Sequence, residues 1–332
     1  MKRFAFKFAI FLIPIVVMLI GAEYRLTRVR NSYTTKLALM HNSATAEVLV
    51  LGSSHAYDGI NPDCFSRPGF NMANMSQLFY HDSQILDRFG VFLPNLKFVI
   101  FSISYFSFEA NPGIVPEKWR AFFYRQYYGI PANRWLLRWD VRNYSKLALY
   151  SYESVKHLKS LPTDLSGSIS STGWQRVPAT ETTGQTPISD RTGKARVQFH
   201  RALMREDYRP ESVQSLRDSI DWCLCRGITP ILLTPPVYHT YTDHIDRAKY
   251  RWMQACICEL CSAYQLSYWN YFTDPRFNLK DFADDDHLNE TGAEELSRMI
   301  DEEVFRTDFR KPTPTTIRYQ PHLSKQDNQS DG

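Results

Sequence analysis

Glu47-Val48-Leu49-Val50-Leu51-Gly52-Ser53-Ser54-His55 is the stretch that decides how this chain folds. Its apolar residues are contiguous, with no polar alternation, and β-branched at every second position. That pattern suits a strand covered on both faces, as in a parallel sheet. Gly52 permits a tight turn directly after the strand. Ser54 then stands at the strand's carboxyl end and at the start of the helix expected to follow. In open α/β sheets ligands bind beyond the carboxyl ends of the strands. A helix start offers backbone N–H groups to a developing oxyanion.

Outward from this stretch the chain alternates. Residues 70–72 read as a second short strand, 76–90 as a helix, and 97–103 (KFVIFSI) as another buried strand. Residues 110–205 break the pattern and read as an insertion over the sheet edge, helical at first and then a long loop over about 162–195. The alternation resumes with a helix over 210–226 ended by Gly227, a strand over 228–234 stopped by Pro235-Pro236, a helix over 246–264 and a strand over 266–269. The final helix is expected over 291–305, with Thr291 and Glu294 at capping-box spacing. Strands and helices alternating with short connections predict an α/β fold whose parallel sheet is covered on both faces.

A serine hydroxyl is a weak nucleophile until a base takes its proton, and the base is usually a histidine held by a carboxylate. Asp284-Asp285-Asp286-His287 lies just before the last helix. The three-residue spacing lets Asp284 reach one ring nitrogen of His287 while the other faces Ser54. Asp285 and Asp286 read as solvated, with either able to replace Asp284. His55 adjoins the nucleophile in sequence and is therefore poorly placed to face it; it reads as a neighbour of the site. Either motif alone occurs readily by chance, as a turn or a helix cap. Together, in this order and on these elements, they point to covalent serine chemistry.

Val48 to His55 resembles the first sequence block of the SGNH (GDSL-type) hydrolases, in a variant where Gly-Asp-Ser is Gly-Ser-Ser. Asp284 to Gly292 resembles their last block, Asp-x-x-His. The similarity covers residues 45–110 and 205–305 and leaves the insertion uncovered. Among such proteins, this form with an N-terminal membrane segment is similar to the D-alanyl transfer proteins of teichoic acid synthesis and to membrane-linked polysaccharide O-acetyltransferases. The resemblance implies a flavodoxin-like three-layer α/β/α sandwich. It implies Ser54 as nucleophile, His287 as base and Asp284 as orienting acid, with no cofactor and no metal. It also implies O-acyl transfer or ester hydrolysis on a cell-envelope polysaccharide or lipid-linked glycan, alone or beside a polytopic membrane acyltransferase. The chain departs from the family where oxyanion donors are usual. Ser76 and its neighbours, Asn74 among them, stand where the second block has glycine, so Gly52, Asn74 and Ser76 are the candidate oxyanion or substrate-binding positions. Near the third block, Ser102-Ile103-Ser104-Tyr105 contains no asparagine. These departures leave a second reading, an inert domain of the same kind that binds glycan or scaffolds an acyltransferase.

The chain has 332 residues, and its formal charge of +4 is scattered, which argues against a nucleic-acid partner. Lys2, Arg3 and Lys7 precede an apolar run from Phe8 to Ala22. Residues 1–22 read as an uncleaved signal anchor or, alternatively, a signal peptide; Ile20 makes cleavage after Ala22 unfavourable. The anchor reading places a single-pass protein in the inner membrane with its domain outside the cytoplasm. Arg25, Arg28 and Arg30 blunt the charge asymmetry behind that orientation. Residues 23–44 are expected as a juxtamembrane stalk, 45–306 as the catalytic domain, and 307–332 as a disordered polar tail. Of six cysteines, Cys223 and Cys225 form one cluster and Cys256, Cys258 and Cys261 another. They read as buried small apolar residues or as a disulfide joining the clusters, and their spacing does not suit zinc. The aromatic and basic residues of 117–139 read as a packed helical face, or else as a surface that stacks sugars or lies on a membrane.

Overall fold

The computed structural model describes residues 1–110, 119–132, 134–150, 164–165, 167–179 and 187–306. The tail expected over 307–332 and part of the insertion lie outside them. Five strands form one parallel sheet: β1 (Val48–Gly52), β2 (Gly69–Asn71), β3 (Phe98–Ser102), β4 (Thr229–Thr234) and β5 (Tyr268–Asn270). Their spatial order is β2-β1-β3-β4-β5. The chain therefore leaves β1 toward one edge and returns across it to β3. That reversal falls at the carboxyl end of β1, where Ser54 follows and where ligands of open α/β sheets bind.

The unbroken apolar runs have a packing cause. Leu49, Leu51, Val99, Phe101 and Leu232 face one core, with Leu86, Leu216 and Ile257. Val48, Val50, Ile100, Ile231 and Leu233 face the other, with Ala56, Leu296 and Ile300. With both faces dry, the middle of the sheet is apolar on both sides, and all five residues of β1 are buried. On the first face lie α4 (Phe79–Phe89), α6 (Arg209–Leu224) and α7 (Arg247–Tyr264); on the second lie α3 (Ser54–Gly59) and α8 (Glu290–Ile300).

Several boundaries differ from expectation. β5 begins at Tyr268, two residues beyond the start read from sequence. Helix α8 is capped by Asn289, whose side chain accepts the N–H groups of Thr291 at 3.0 Å and Gly292 at 3.2 Å, so the expected Thr291–Glu294 cap is displaced by two positions. The loop expected over about 162–195 gives way at Asp190 to α5 (Asp190–Leu203), capped by Ser189. All six cysteines are unbridged.

Residues 23–44 are not a bare stalk. Helix α1 runs over Lys2–Thr27, and α2 (Ser32–His41) follows with Tyr33 and Met40 buried in the core. The α2 ammonium of Lys36 is also buried. It donates to the Asn71 carbonyl at 3.0 Å and to the Ala73 carbonyl, and lies 4.4 Å from the Tyr57 ring centroid. Burial drives its pKa well below the usual lysine value, against the pull of Asp58. At 26 residues, α1 is apolar enough to cross a membrane. Its length is about 39 Å at 1.5 Å per residue, against roughly 30 Å of hydrocarbon.

Candidate active site

Gly52 turns the chain out of β1 with φ +129°, and a Cβ there would lie 2.7 Å from the Ser102 Cβ. Only glycine fits both the angle and the contact. From the α4 side, the buried Asp82 carboxyl accepts from Gln77 Nε2 at 2.7 Å and from the Gly52 backbone. Burial lifts Asp82 to about 7, with both bonds opposing. The turn is thus held on two sides, and it delivers Ser54 to the first residue of α3.

His287 arrives on the loop before α8. Phe282 and Leu288 form an antiparallel bridge, and the Ala283 N–H donates to the His287 carbonyl at 2.9 Å. The loop closes on Asp284, whose Oδ1 accepts the N–H groups of Asp286 at 3.0 Å and His287 at 2.8 Å. The result brings together residues 233 positions apart in sequence: Ser54 Oγ lies 2.8 Å from His287 Nε2. His287 Nδ1 lies 2.9 Å from Asp284 Oδ2. Ser54 and His287 each keep 6% exposure, so approach to the hydroxyl is narrow.

The three aspartates are ordered oppositely to expectation. Asp284 is the most exposed, with 45% of its side chain accessible, whereas Asp285 and Asp286 are buried. Asp285 Oδ1 accepts from the Thr240 hydroxyl. Asp286 is wholly buried beneath the imidazoles. Its Oδ1 accepts from Arg196 Nε at 2.7 Å and lies 3.5 Å from His287 Nδ1; its Oδ2 lies 3.2 Å from His55 Nε2 and 3.8 Å from His200 Nε2. The reason is tertiary: α5 brings Arg196 and His200 over a carboxylate that the local sequence presents as one of a polar run.

These contacts set the charges. Burial opposes a proton on His287, but Asp286 and then Asp284 outweigh it and push its pKa up to about 9. Burial would raise Asp286, yet His287, His55 and Arg196 hold it well below the usual carboxylate range. His55 and His200 are both lowered by burial, against the pull of Asp286. His55 Nδ1 lies 2.9 Å from Ser104 Oγ, which is 3.0 Å from Ser53 Oγ. His55 therefore supports the site from behind and does not address Ser54.

Of the other candidate positions, Asn74 is buried. Its N–H donates to the Gly52 carbonyl at 3.2 Å, and its Oδ1 accepts from Met75 N–H at 3.0 Å and Ser32 Oγ at 3.3 Å. It braces the turn that leads to Ser54. Ser76 adopts φ +53°, the left-handed conformation that glycine favours. One donor atom each from His55, Asp286 and His287 fall within 4.8 Å of one another, a geometry open to a divalent cation. The Arg196 guanidinium already neutralises that carboxylate, and a metal ion would sit against fixed positive charge.

Arg196, His200 and the burial of Asp286 escape the sequence reading. One signal was present: Val197, His200 and Leu203, each three apart, mark one face of a helix. The chain matches no protein-family model and no curated protein.

Proposed function

We propose that the protein is an SGNH-type serine acyltransferase or esterase, anchored by α1 in the inner membrane with its domain in the periplasm. Its substrates are acyl esters and the hydroxyls of a cell-envelope or lipid-linked glycan. The observation that carries this reading is the Ser54–His287–Asp284 chain at 2.8 and 2.9 Å. The strand order, the serine after β1 and the Asp-x-x-His loop before the last helix support the sandwich that the resemblance implies.

The steps follow from the geometry. Ser54 Oγ attacks the donor carbonyl as its proton passes to neutral His287 Nε2, and a C–O bond forms. Asp284 holds Nδ1–H, fixing the ring and stabilising the imidazolium. The tetrahedral oxyanion is met by the Ser54 N–H at the start of α3 and by the loop carrying Ser76. The leaving oxygen departs with the proton from His287, and the acyl group remains on Ser54. An acceptor hydroxyl then attacks, gives its proton to His287, and returns Ser54 to the free hydroxyl. Water as acceptor makes the same site an esterase.

A fluorophosphonate probe tests the chemistry. The full chain is expected to label, and Ser54→Ala to lose labelling altogether. An unlabelled native chain would favour the inert glycan-binding or scaffolding reading, which the missing asparagine after β3 and the narrow access to Ser54 recommend. Turnover of an activated acetyl ester with and without polysaccharide then separates transfer from hydrolysis.

A further inference from the structure

The aromatic segment after the first part of the insertion is fastened to the end of α1. Glu23 is the first charged residue after the apolar run, and its carboxylate accepts from Ser145 Oγ at 2.8 Å and from the N–H groups of Lys146 at 2.5 Å and Leu147 at 2.9 Å. Just beyond, Leu26, Val29 and Tyr150 are buried together. Asn31 Nδ2 donates to the Tyr150 hydroxyl at 3.1 Å. Residues 145–150 are thus bolted to α1 where its apolar run ends, which is headgroup level for a helix that spans a bilayer.

The turns that lead into residues 145–150 expose large apolar side chains. Trp139 is 80% exposed and Trp135 65%, and Leu136, Val141 and Tyr144 are exposed beside them. Their backbone is held rigidly: Asn143 Nδ2 donates to the Leu137 carbonyl at 2.6 Å, the Tyr144 hydroxyl to the Arg138 carbonyl at 2.9 Å, and Gln126 Nε2 to the carbonyls of Arg142 and Ser145. An exposed cluster of this kind is uncommon on a surface that meets only water. Tryptophan and tyrosine concentrate where hydrocarbon meets headgroups.

We propose that Trp135, Leu136, Trp139, Val141 and Tyr144 form a surface that seats in the interface of the bilayer carrying α1. The proposal rests on α1 spanning a membrane and goes beyond it, because a spanning helix alone would leave the domain free to tilt. Continuity with the end of α1 favours lipid over a sugar chain as the occupant. The site shares this frame: Ser32, five residues past α1, donates to Asn74 Oδ1, and Asn74 N–H donates to the Gly52 carbonyl beside the nucleophile. Seating the aromatic surface therefore holds the rim of Ser54 at a fixed height and gives the site substrates presented at the membrane surface.

The test uses the full chain in phosphatidylcholine nanodiscs with bromine on the upper acyl chain. No tryptophan lies in α1, so the anchor itself contributes nothing to tryptophan quenching. Brominated lipid is expected to quench part of the emission relative to unbrominated lipid, and Trp135→Phe with Trp139→Phe is expected to remove at least about half of that quenching. Both rings are exposed, so the variants keep the fold, and either single variant reports separately. A chain retained in the nanodiscs but unquenched, or equally quenched without the two indoles, overturns the seating surface alone. A chain not retained overturns the spanning helix and the surface with it.

Discussion

The rings of His55 and His287 stand 5.1 Å apart, inclined by 27°, and the buried carboxylate of Asp286 faces both. Their charge states differ although they share that neighbour. Burial dominates at His55 and lowers its pKa; at His287 a second carboxylate, Asp284, joins Asp286 and the balance reverses. Of this pair, His55 is therefore neutral and His287 protonated at neutral pH. The protonated one is the ring that the proposed mechanism uses as base.

This fixes a pH dependence. A base must be neutral to accept a proton. With His287 pushed up to about 9, labelling of Ser54 by the phosphonate probe is expected to rise about tenfold per pH unit from neutrality and to level off near that value. A plateau reached at the ordinary histidine value would contradict the assignment. Stability runs the other way. A histidine raised in the folded state contributes stability that is full below the unfolded value of about 6.5 and is lost as pH climbs through about 9. Thermal melts should show Tm falling across that window, and His287→Gln should remove that part of the fall.

Arg196 and Asp286 act on the same ring with opposite signs, since Asp286 raises the His287 pKa and Arg196 lowers it. Asp286→Asn is expected to move the rising limb of the labelling profile toward neutrality, and Arg196→Gln to move it further into the alkaline range. Both break a buried ion pair and should cost on the order of 3–5 kcal/mol in urea unfolding. Shifts of the limb in one common direction would show that these two groups do not set the charge of the base.

The Gly52–Ser54 turn and the Asp-x-x-His loop are legible because each is written in adjacent residues. Val48 to Ser54 carries its strand, its glycine and its hydroxyl in one run, and Asp284 closes on its own third neighbour. The roles of Asp285 and Asp286 were not legible, because their burial is imposed by Thr240 and Arg196 from other elements. The anchor connection was misread for a related reason. Residues 25–36 look polar and basic, but Lys36 finds two backbone carbonyls and a Tyr57 ring face in the interior, which no local pattern announces.

Gly52 offers a test of the turn itself. Alanine there meets a φ of +129° and Ser102 atoms at 2.7 and 2.9 Å from its Cβ, one of them a backbone oxygen that has little room to yield. Strain and overpacking together should cost about 2–4 kcal/mol. Gly52→Ala is expected to lower the urea midpoint accordingly and to lose probe labelling, since Ser54 moves with the turn. Unchanged stability would mean that the backbone can relax around Ser102.

Ser76 offers a test that separates a backbone role from a side-chain role in the proposed oxyanion contact. Its φ of +53° costs a non-glycine residue roughly 1 kcal/mol. If the loop contributes its N–H group, Ser76→Gly keeps the donor and relieves the conformation. The variant is then expected to gain up to about 1 kcal/mol in urea unfolding, offset in part by the greater freedom of the unfolded chain. Its labelling rate should stay within about twofold of the native chain, well short of the hundredfold loss typical when an oxyanion donor is removed. A loss of that size in Ser76→Gly, with the fold intact, would assign the work to the hydroxyl and not to the amide.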